Sequence, residues 1–178
     1  MRGAFLKICI AAFLLFLLSA VAVAGESPGL VKWFEKGQAL AQAGKNEEAV
    51  AAFDIAIEKD PRIALFYYNR GLAYEGLENH PKATDDFSRA IELNPEYTEA
   101  YFARGNAYFA ASALWQAVRD YTKVLELDHD SAKAYYVRGY AYMLLKQEDD
   151  GLAGIKKAAS MGHEPAKTFL KANGIKAK

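Results

Sequence analysis

The chain has 178 residues, of which 52% are hydrophobic and 25% are charged, a composition that suits one globular domain or a short array of repeats. Lys and Arg together number 22, and Asp and Glu together number 22, so the formal net charge is zero. This balance excludes the broad positive field with which nucleic-acid-binding proteins attract phosphates, and we expect no nucleic acid as a partner.

The N-terminal residues differ in character from the rest of the chain. Arg2 and Lys7 precede an apolar run at residues 8–24, which ends in the small residues Ala-Val-Ala. A basic start, an apolar middle and a small-residue exit predict a secretory signal peptide over residues 1–24, cleaved before Gly25. The alternative is an uncleaved anchor in the inner membrane, although the run is shorter than the ~20 residues that usually span a bilayer.

Export would place residues 25–178 in the periplasm of a bacterium or outside the cell. The single cysteine, Cys9, lies inside the apolar run, so the exported part would have no thiol. We therefore expect no disulfide framework, no thiolate metal site and no cysteine nucleophile. Contact with a membrane is expected only if the N-terminal segment is retained.

Three eight-residue segments are nearly identical and begin 34 residues apart: YYNRGLAY at 67–74, YFARGNAY at 101–108 and YYVRGYAY at 135–142. A fourth glycine, Gly37, falls in the same register with Trp33 four residues before it and Ala39 two residues after it. An enzyme needs its catalytic residues only once. Repetition at a fixed period therefore predicts a stack of similar units without a catalytic site.

The recurring positions resemble the tetratricopeptide repeat, which reads W-x-x-L-G-x-x-Y followed by Ala, an aromatic residue, Ala and Pro at fixed offsets. The resemblance extends from residue 30 to about residue 163. In two departures from the pattern, a basic residue stands before each glycine where the repeat normally has Leu, and His129 and His163 replace the closing proline seen at Pro61 and Pro95.

Large apolar residues at helical spacing, together with small residues at fixed places, predict helix pairs whose apolar faces are covered by the next pair. We therefore expect an all-α fold, a right-handed α-α superhelix of four helix pairs with a C-terminal capping helix. After a linker at 25–29, the predicted repeats are 30–63, 64–97, 98–131 and 132–163, and residues 164–178 form the cap and tail. The predicted helices are 30–43, 47–59, 62–77, 81–93, 96–112, 114–127, 131–145, 149–161 and 164–173.

Arginines stand before three of the four glycines. They could form a ladder for an acidic partner, but we favour a structural role, because a partly buried Arg is usually paired. The acid of the second helix is missing in the fourth repeat, where Gly154 takes its place, so Arg138 would have to pair with Asp120 of the preceding repeat. The predicted structural ion pairs involve Arg70, Arg104, Arg138, Asp86 and Asp120.

The resemblance implies that the first helices of the pairs line a concave groove. Aromatic side chains with a few polar groups suit an extended or helical peptide. At Tyr68, Phe102 and Tyr136, the stacking of helices alone would also explain an aromatic residue. The predicted groove residues are Tyr68, Leu72, Phe102, Asn106, Phe109, Tyr136 and Tyr140.

Some members of the family hold the C-terminal carboxylate of a chaperone tail with Lys and Asn in the first unit, Asn in the second, and Lys and Arg in the third. The matching positions here are Phe34, Gln38, Asn69, Glu99 and Ala103. Only Asn69 fits, so we expect no carboxylate clamp.

The sequence contains no glycine-rich phosphate loop, and its three histidines lack the close spacing of metal ligands. We expect no enzyme activity, no cofactor and no metal site. The sequence predicts an exported adaptor that binds a partner protein or peptide. A self-assembling structural subunit and a membrane-anchored assembly factor are the alternatives. Trp115, at a usually polar position, either marks a contact surface or folds over Leu114.

Overall fold

The computed structural model describes residues 28–176, so the predicted signal peptide and most of the predicted linker lie outside the described residues. Within this range the chain forms nine α-helices and no β-strand. The helices are α1 (Pro28–Gln42), α2 (Asn46–Lys59), α3 (Ala64–Gly76), α4 (His80–Leu93), α5 (Thr98–Ala110), α6 (Leu114–Leu127), α7 (Ala132–Leu144), α8 (Glu148–Ser160) and α9 (Glu164–Ala172).

The helix ends lie within two residues of the predicted ends. Among the largest shifts, α3 and α5 each begin two residues later than predicted. At both places the chain first makes a turn in which a side-chain oxygen accepts a backbone N–H two residues on: Asp60 accepts from Arg62 at 3.0 Å and Asn94 accepts from Glu96 at 3.1 Å. This turn competes with the helix for the same backbone groups, so the helix starts after it.

Consecutive helices pack in pairs, α1 with α2, α3 with α4, α5 with α6 and α7 with α8, and each pair stacks on the next. The short connections make neighbouring helices antiparallel. The four pairs and α9 form the right-handed superhelix that the sequence predicts. The first helices of the pairs are α1, α3, α5 and α7, and the second helices are α2, α4, α6 and α8.

The repeated glycines let the two helices of a pair approach closely. A Cβ atom on Gly71 would lie 2.6 Å from Cε1 of Phe87, and one on Gly105 would lie 2.7 Å from Cε1 of Tyr121. Both rings are buried. The aromatic ring of the second helix therefore occupies the space that a side chain at the glycine would need, which explains why these two residue types recur together.

The turns inside the four pairs share one backbone feature. Gly44, Glu78, Ser112 and Lys146 are spaced 34 residues apart and all have a positive φ, between 56° and 74°. The residue after each turn donates its N–H back into the first helix, as Ala113 does to the carbonyl of Tyr108 at 2.8 Å. Only the first of the four turns uses glycine, the residue that adopts this conformation without a steric cost.

The last helix, α9, covers the exposed end of the stack. Its Ala166 and Leu170 are almost completely buried and pack with Ile155 and Ala158 of α8. An end element with one polar face is what a repeat array needs to shield its terminal unit. In the range 28–176, no helix has both the length and the apolar character needed to cross a membrane.

Candidate functional site

All seven predicted groove residues lie on the first helices α3, α5 and α7 and line two open cavities. The first cavity, of about 380 Å³, lies between α3 and α5 and extends to the start of α7. The second, of about 290 Å³, lies between α5 and α7. The side chains that line the first cavity include Tyr68, Leu72, Glu99, Phe102, Asn106, Asp128 and Lys133, and those that line the second include Asn106, Phe109, Tyr121, Tyr136 and Tyr140.

Asn106 lines both cavities and is oriented by a neighbour from the second helix. The hydroxyl of Tyr121 donates a hydrogen bond to Oδ1 of Asn106 at 2.9 Å. Burial raises the pKa of Tyr121, so the hydroxyl keeps its proton and remains the donor. The amide N–H groups of Asn106 have no hydrogen-bond partner among residues 28–176, which leaves them free to donate to a ligand.

The first cavity contains one basic and two acidic side chains. Nζ of Lys133 lies 4.6 Å from the ring centre of Phe102, a cation–π distance that holds the ammonium against the groove wall. Glu99 lies near Tyr68, whose pKa is raised first by burial and then by the charge of that carboxylate. Asp128 also lines the cavity. A ligand in this cavity therefore meets both charge signs on a largely apolar floor.

The aromatic residues of the first helices differ in how available they are. Phe34 on α1 is 7% exposed and packs against Phe53 and Phe66, so α1 contributes no accessible ring at this position. Leu72 and Tyr140, in contrast, are 42% and 37% exposed. The accessible apolar surface therefore begins at α3 and continues toward the C-terminus.

Two of the predicted groove residues have a structural role as well. Tyr68 packs against Phe87 and Tyr97, with ring centres 5.9 Å and 5.0 Å away. Phe102 packs against Tyr121 at 5.6 Å. Each side chain both supports the stack and presents its remaining surface to the first cavity.

The C-terminal end of the groove is a cluster of four rings. Tyr140 lies 6.1 Å from Phe109, 6.3 Å from Tyr136 and 6.2 Å from Phe169, measured between ring centres. Phe169 of α9 is half-buried, packs against the buried cluster around Ile155 and meets Tyr140 edge-on. A third open cavity, of about 490 Å³, lies between Tyr136 and α9. The cap thus extends the groove, which sequence reasoning missed.

Two of the repeated arginines form bidentate ion pairs within their own repeat. Nε and Nη2 of Arg70 donate to the two carboxylate oxygens of Asp86 at 2.8 and 2.7 Å. Nε and Nη2 of Arg104 donate to Asp120 in the same way, both at 2.8 Å. The two carboxylates are 5% and 3% exposed. These pairs fix the two helices of a repeat to each other.

The third nitrogen of each guanidinium, Nη1, contacts the second helix of the preceding repeat. Nη1 of Arg70 bonds to Asp54, and Nη1 of Arg104 donates to Oγ of Ser88 at 3.0 Å. Each partner stands sixteen residues before its arginine, a regularity that is visible in the sequence but that sequence reasoning did not use. The arginines therefore link neighbouring repeats.

The prediction that Arg138 belongs to an ion pair is wrong. Its Nη1 donates to Oγ1 of Thr122 at 3.2 Å, and no acidic residue within 28–176 forms a salt bridge with it. Arg104 already occupies both carboxylate oxygens of Asp120, and the position of the acid in its own repeat holds Gly154. Arg138 is a partly buried cation with one neutral hydrogen-bond acceptor.

Comparison with known proteins identifies the family. A model of the tetratricopeptide repeat matches residues 34–97 and 73–115. The first tetratricopeptide-repeat domain of Spaghetti (RPAP3), solved with the HSP90 peptide SRMEEVD, is 32% identical; the match covers 68% of this chain and 96% of that one, with a TM-score of 0.65. The chain is a tetratricopeptide-repeat protein.

Other solved structures resemble this tetratricopeptide-repeat protein over much of its length. MamA is 25% identical, with 84% of this chain and 86% of that one covered and a TM-score of 0.74. The first tetratricopeptide-repeat domain of human RPAP3 is 31% identical, with 68% and 95% covered and a TM-score of 0.63. A search of curated proteins gives no significant match. The tetratricopeptide-repeat fold is a scaffold for protein–protein interaction.

Trp115 lies on α6, outside the cavities of the groove. Its side chain is 53% exposed and meets Tyr142 edge-on, with ring centres 6.4 Å apart. Elsewhere in the described part of this tetratricopeptide-repeat protein, no group of three or more His, Cys, Asp and Glu side chains is arranged to hold a metal ion. The groove and the surface around Trp115 both present exposed apolar side chains.

Proposed function

We propose that this tetratricopeptide-repeat protein is an exported adaptor that binds a partner polypeptide in its concave groove. One observation carries the proposal: exposed apolar side chains, Leu72 and Tyr140, flank two open cavities that share the amide of Asn106. Exposed apolar surface beside a fixed polar group is typical of a binding site. The adaptor would act by holding its partner, without covalent chemistry.

The groove suits a peptide that places apolar side chains in both cavities. One side chain would lie against Leu72 and Phe102 in the first cavity, and a second would lie among the rings around Tyr140. A peptide carbonyl group between them would accept a hydrogen bond from Asn106. Rings provide the contact area, while the amide and the charged groups determine the orientation of the bound chain.

The acidic residues of the first cavity disfavour the ligand of the Spaghetti domain. That domain was solved with the acidic HSP90 peptide SRMEEVD. In this chain Glu99 lines the first cavity, at a position where the carboxylate-holding members of the family have a cation, and Asp128 lies in the same cavity. We therefore propose a ligand that is apolar with neutral or basic polar groups, and we expect the peptide SRMEEVD to bind weakly or not at all.

A photoreactive residue in place of Tyr140 tests the groove. In the producing cell, irradiation should attach one partner protein, and mass spectrometry should map the crosslink to one segment of it. Asn106→Ala and Leu72→Ala should each reduce the crosslink, whereas Arg89→Ala, on the exposed face of α4, should leave it unchanged. A crosslink that all three variants leave at full yield would argue against binding in the groove.

Export is tested separately by the N-terminus of the purified protein. Cleavage would leave residues 25–178, which contain 20 basic and 22 acidic residues, for a net charge of 20 − 22 = −2. Intact mass measurement and cell fractionation should then give a chain beginning at Gly25 outside the cytoplasm. A chain that retains residues 1–24 and remains with the membrane would favour the anchored alternative.

A further inference from the structure

Arg138 differs from the two equivalent arginines in what surrounds its guanidinium. Arg70 and Arg104 each have a bidentate carboxylate partner and a second acceptor from the preceding repeat. Arg138 has only the second acceptor, the hydroxyl of Thr122. Nε and Nη2, the two donors that bind the carboxylate in the other repeats, have no partner among residues 28–176.

In the fourth repeat, the position of α8 that corresponds to Asp86 and Asp120 supplies no carboxylate to Arg138. Gly154 stands there, and a Cβ atom on it would lie 3.1 Å from the carbonyl oxygen of Tyr135 and 3.2 Å from Cα of Gly139. The acids at the start of α8, Asp149 and Asp150, are exposed and form no salt bridge with Arg138. A partly buried cation without a counter-charge is unusual, because such groups are generally paired.

Aromatic side chains lie beside this arginine, away from the cavities of the groove. The guanidinium carbon of Arg138 lies 5.7 Å from the ring centre of Tyr135. Tyr142 stands one helical turn after Arg138 and so shares its face of α7, and Trp115 packs edge-on against Tyr142. Trp115 is 53% exposed, and neither it, Tyr142 nor Arg138 lines a cavity of the groove.

We infer that Arg138, Tyr142 and Trp115 form a second docking surface, which binds a protein segment that presents an Asp or Glu side chain next to an apolar side chain. The carboxylate would bond to Nε and Nη2 of Arg138, as Asp86 and Asp120 bond to the equivalent arginines. The apolar neighbour would cover the exposed ring of Trp115. Trp, Tyr and Arg are the residue types that contribute most to binding at protein interfaces.

The chain offers a variant that gives Arg138 an internal counter-charge. Thr122 of α6 occupies the position that Asp54 occupies in the first repeat, where the acid pairs with Arg70. Thr122→Asp should therefore pair with Nη1 of Arg138 and neutralise its charge without disturbing the fold, while Nε and Nη2 stay free. Thermal stability should stay equal or rise while binding weakens, and a misfolded variant could not give this combination.

Peptides serve as the probe, since the partner is not identified. A random peptide library displayed on phage is first depleted on the Arg138→Gln, Trp115→Ala double variant, which removes peptides that bind elsewhere. The remaining phage are then selected on the full chain, which is kept in solution with a mild detergent. Binding of the recovered peptides is measured by the fluorescence of Trp115 in a Trp33→Phe background, which leaves Trp115 as the only tryptophan of the chain.

We expect the recovered peptides to share an Asp or Glu beside an aromatic or aliphatic residue. Replacing that acid by its amide, or Arg138 by Gln, should each weaken binding about tenfold or more, because a charge-assisted hydrogen bond is lost. Thr122→Asp should weaken binding, because the internal carboxylate neutralises the charge that attracts the acid of the peptide. Arg89→Gln, which removes an exposed arginine from the second helix α4, should have no effect.

Three results would overturn the proposal. The first is a set of selected peptides without an acidic residue. The second is a selected peptide whose affinity Arg138→Gln or Thr122→Asp does not change. The third is concentration-dependent self-association of the chain that Trp115→Ala abolishes, because a second copy of the chain would then be the occupant of this surface.

Discussion

Replacement of Arg104 by Leu removes one partner of a buried ion pair and leaves the other in place. Asp120 is 3% exposed, and both of its oxygens accept hydrogen bonds from Arg104 at 2.8 Å. The variant leaves this carboxylate without its counter-charge in a site that water does not reach. Leu supplies apolar contact in place of the arginine stem, so packing is roughly preserved and the electrostatic loss dominates.

The expected cost follows from the burial of the two side chains. Breaking a buried ion pair by removing one partner costs about 3–5 kcal/mol. The side chain of Arg104 is 18% exposed, so solvent weakens the pair somewhat and we expect about 3 kcal/mol, the lower end of that range. A domain with a total stability of about 5–15 kcal/mol would lose a large part of it.

Arg138→Leu is the matched control, because the equivalent arginine has no acidic partner. It loses one hydrogen bond to the hydroxyl of Thr122, at 3.2 Å, and should cost about 1 kcal/mol or less. Urea unfolding followed by far-ultraviolet circular dichroism measures the difference, which should be about 2 kcal/mol. In the double variant Arg104→Leu, Asp120→Leu, most of the loss should be recovered.

The reasoning would be refuted if Arg104→Leu and Arg138→Leu destabilised the chain equally, or if the double variant were no more stable than Arg104→Leu. A third result would refute the structural role itself. If Arg104→Leu left stability unchanged and abolished partner binding, the arginine would belong to a binding surface.

Three further predictions concern packing and the groove. Gly105→Ala should lower the free energy of unfolding, measured in urea, by about 1–2 kcal/mol. The new Cβ would lie 2.7 Å from the buried ring of Tyr121, and this overpacking outweighs the ~1 kcal/mol that Ala gains over Gly in helix propensity. Unchanged stability would contradict this prediction. Leu170→Ala should cost about 2–5 kcal/mol, since Leu170 is 1% exposed against Ile155, and faster hydrogen exchange in α8 should accompany it. Tyr140→Ala should leave the free energy of unfolding within ~0.5 kcal/mol of the parent, because the residue is 37% exposed, while peptide binding in the groove is lost. A large fall in stability would assign the ring to the core.

The helices and their pairing could be predicted from the sequence, because the residues that produce them lie close together in the chain and recur in every repeat. The period of 34 residues, the glycine at Gly71 and Gly105 and the ring sixteen residues after each indicate both helices of a pair and their contact. The exact helix starts were less accessible. At Asp60 and Asn94 a side-chain oxygen accepts a hydrogen bond from a backbone N–H, and the next helix begins two residues later than predicted. The periodic pattern of apolar residues does not reveal this competition for the backbone.

The candidate site was predictable in position but not in the availability of its side chains. The repeat register places Phe34 and Tyr68 at equivalent positions, yet the first is buried against Phe53 and Phe66 and the second lines the first cavity. Phe169 of the cap contacts Tyr140 at the end of the groove, which the repeat register does not indicate. Each outcome depends on side chains from another helix.

The repeated sequence pattern is enough to predict a stack of helix pairs, because it encodes the same local packing several times. The contacts that each repeat makes with its neighbours become visible only in the folded chain. The sequence shows that Gly154 replaces the acid of the fourth repeat, but only the structure shows that Asp120 is held by Arg104 and that Arg138 bonds to the hydroxyl of Thr122 instead. Whether an arginine has a counter-charge depends on the residues that surround it in space, and those residues belong to different helices.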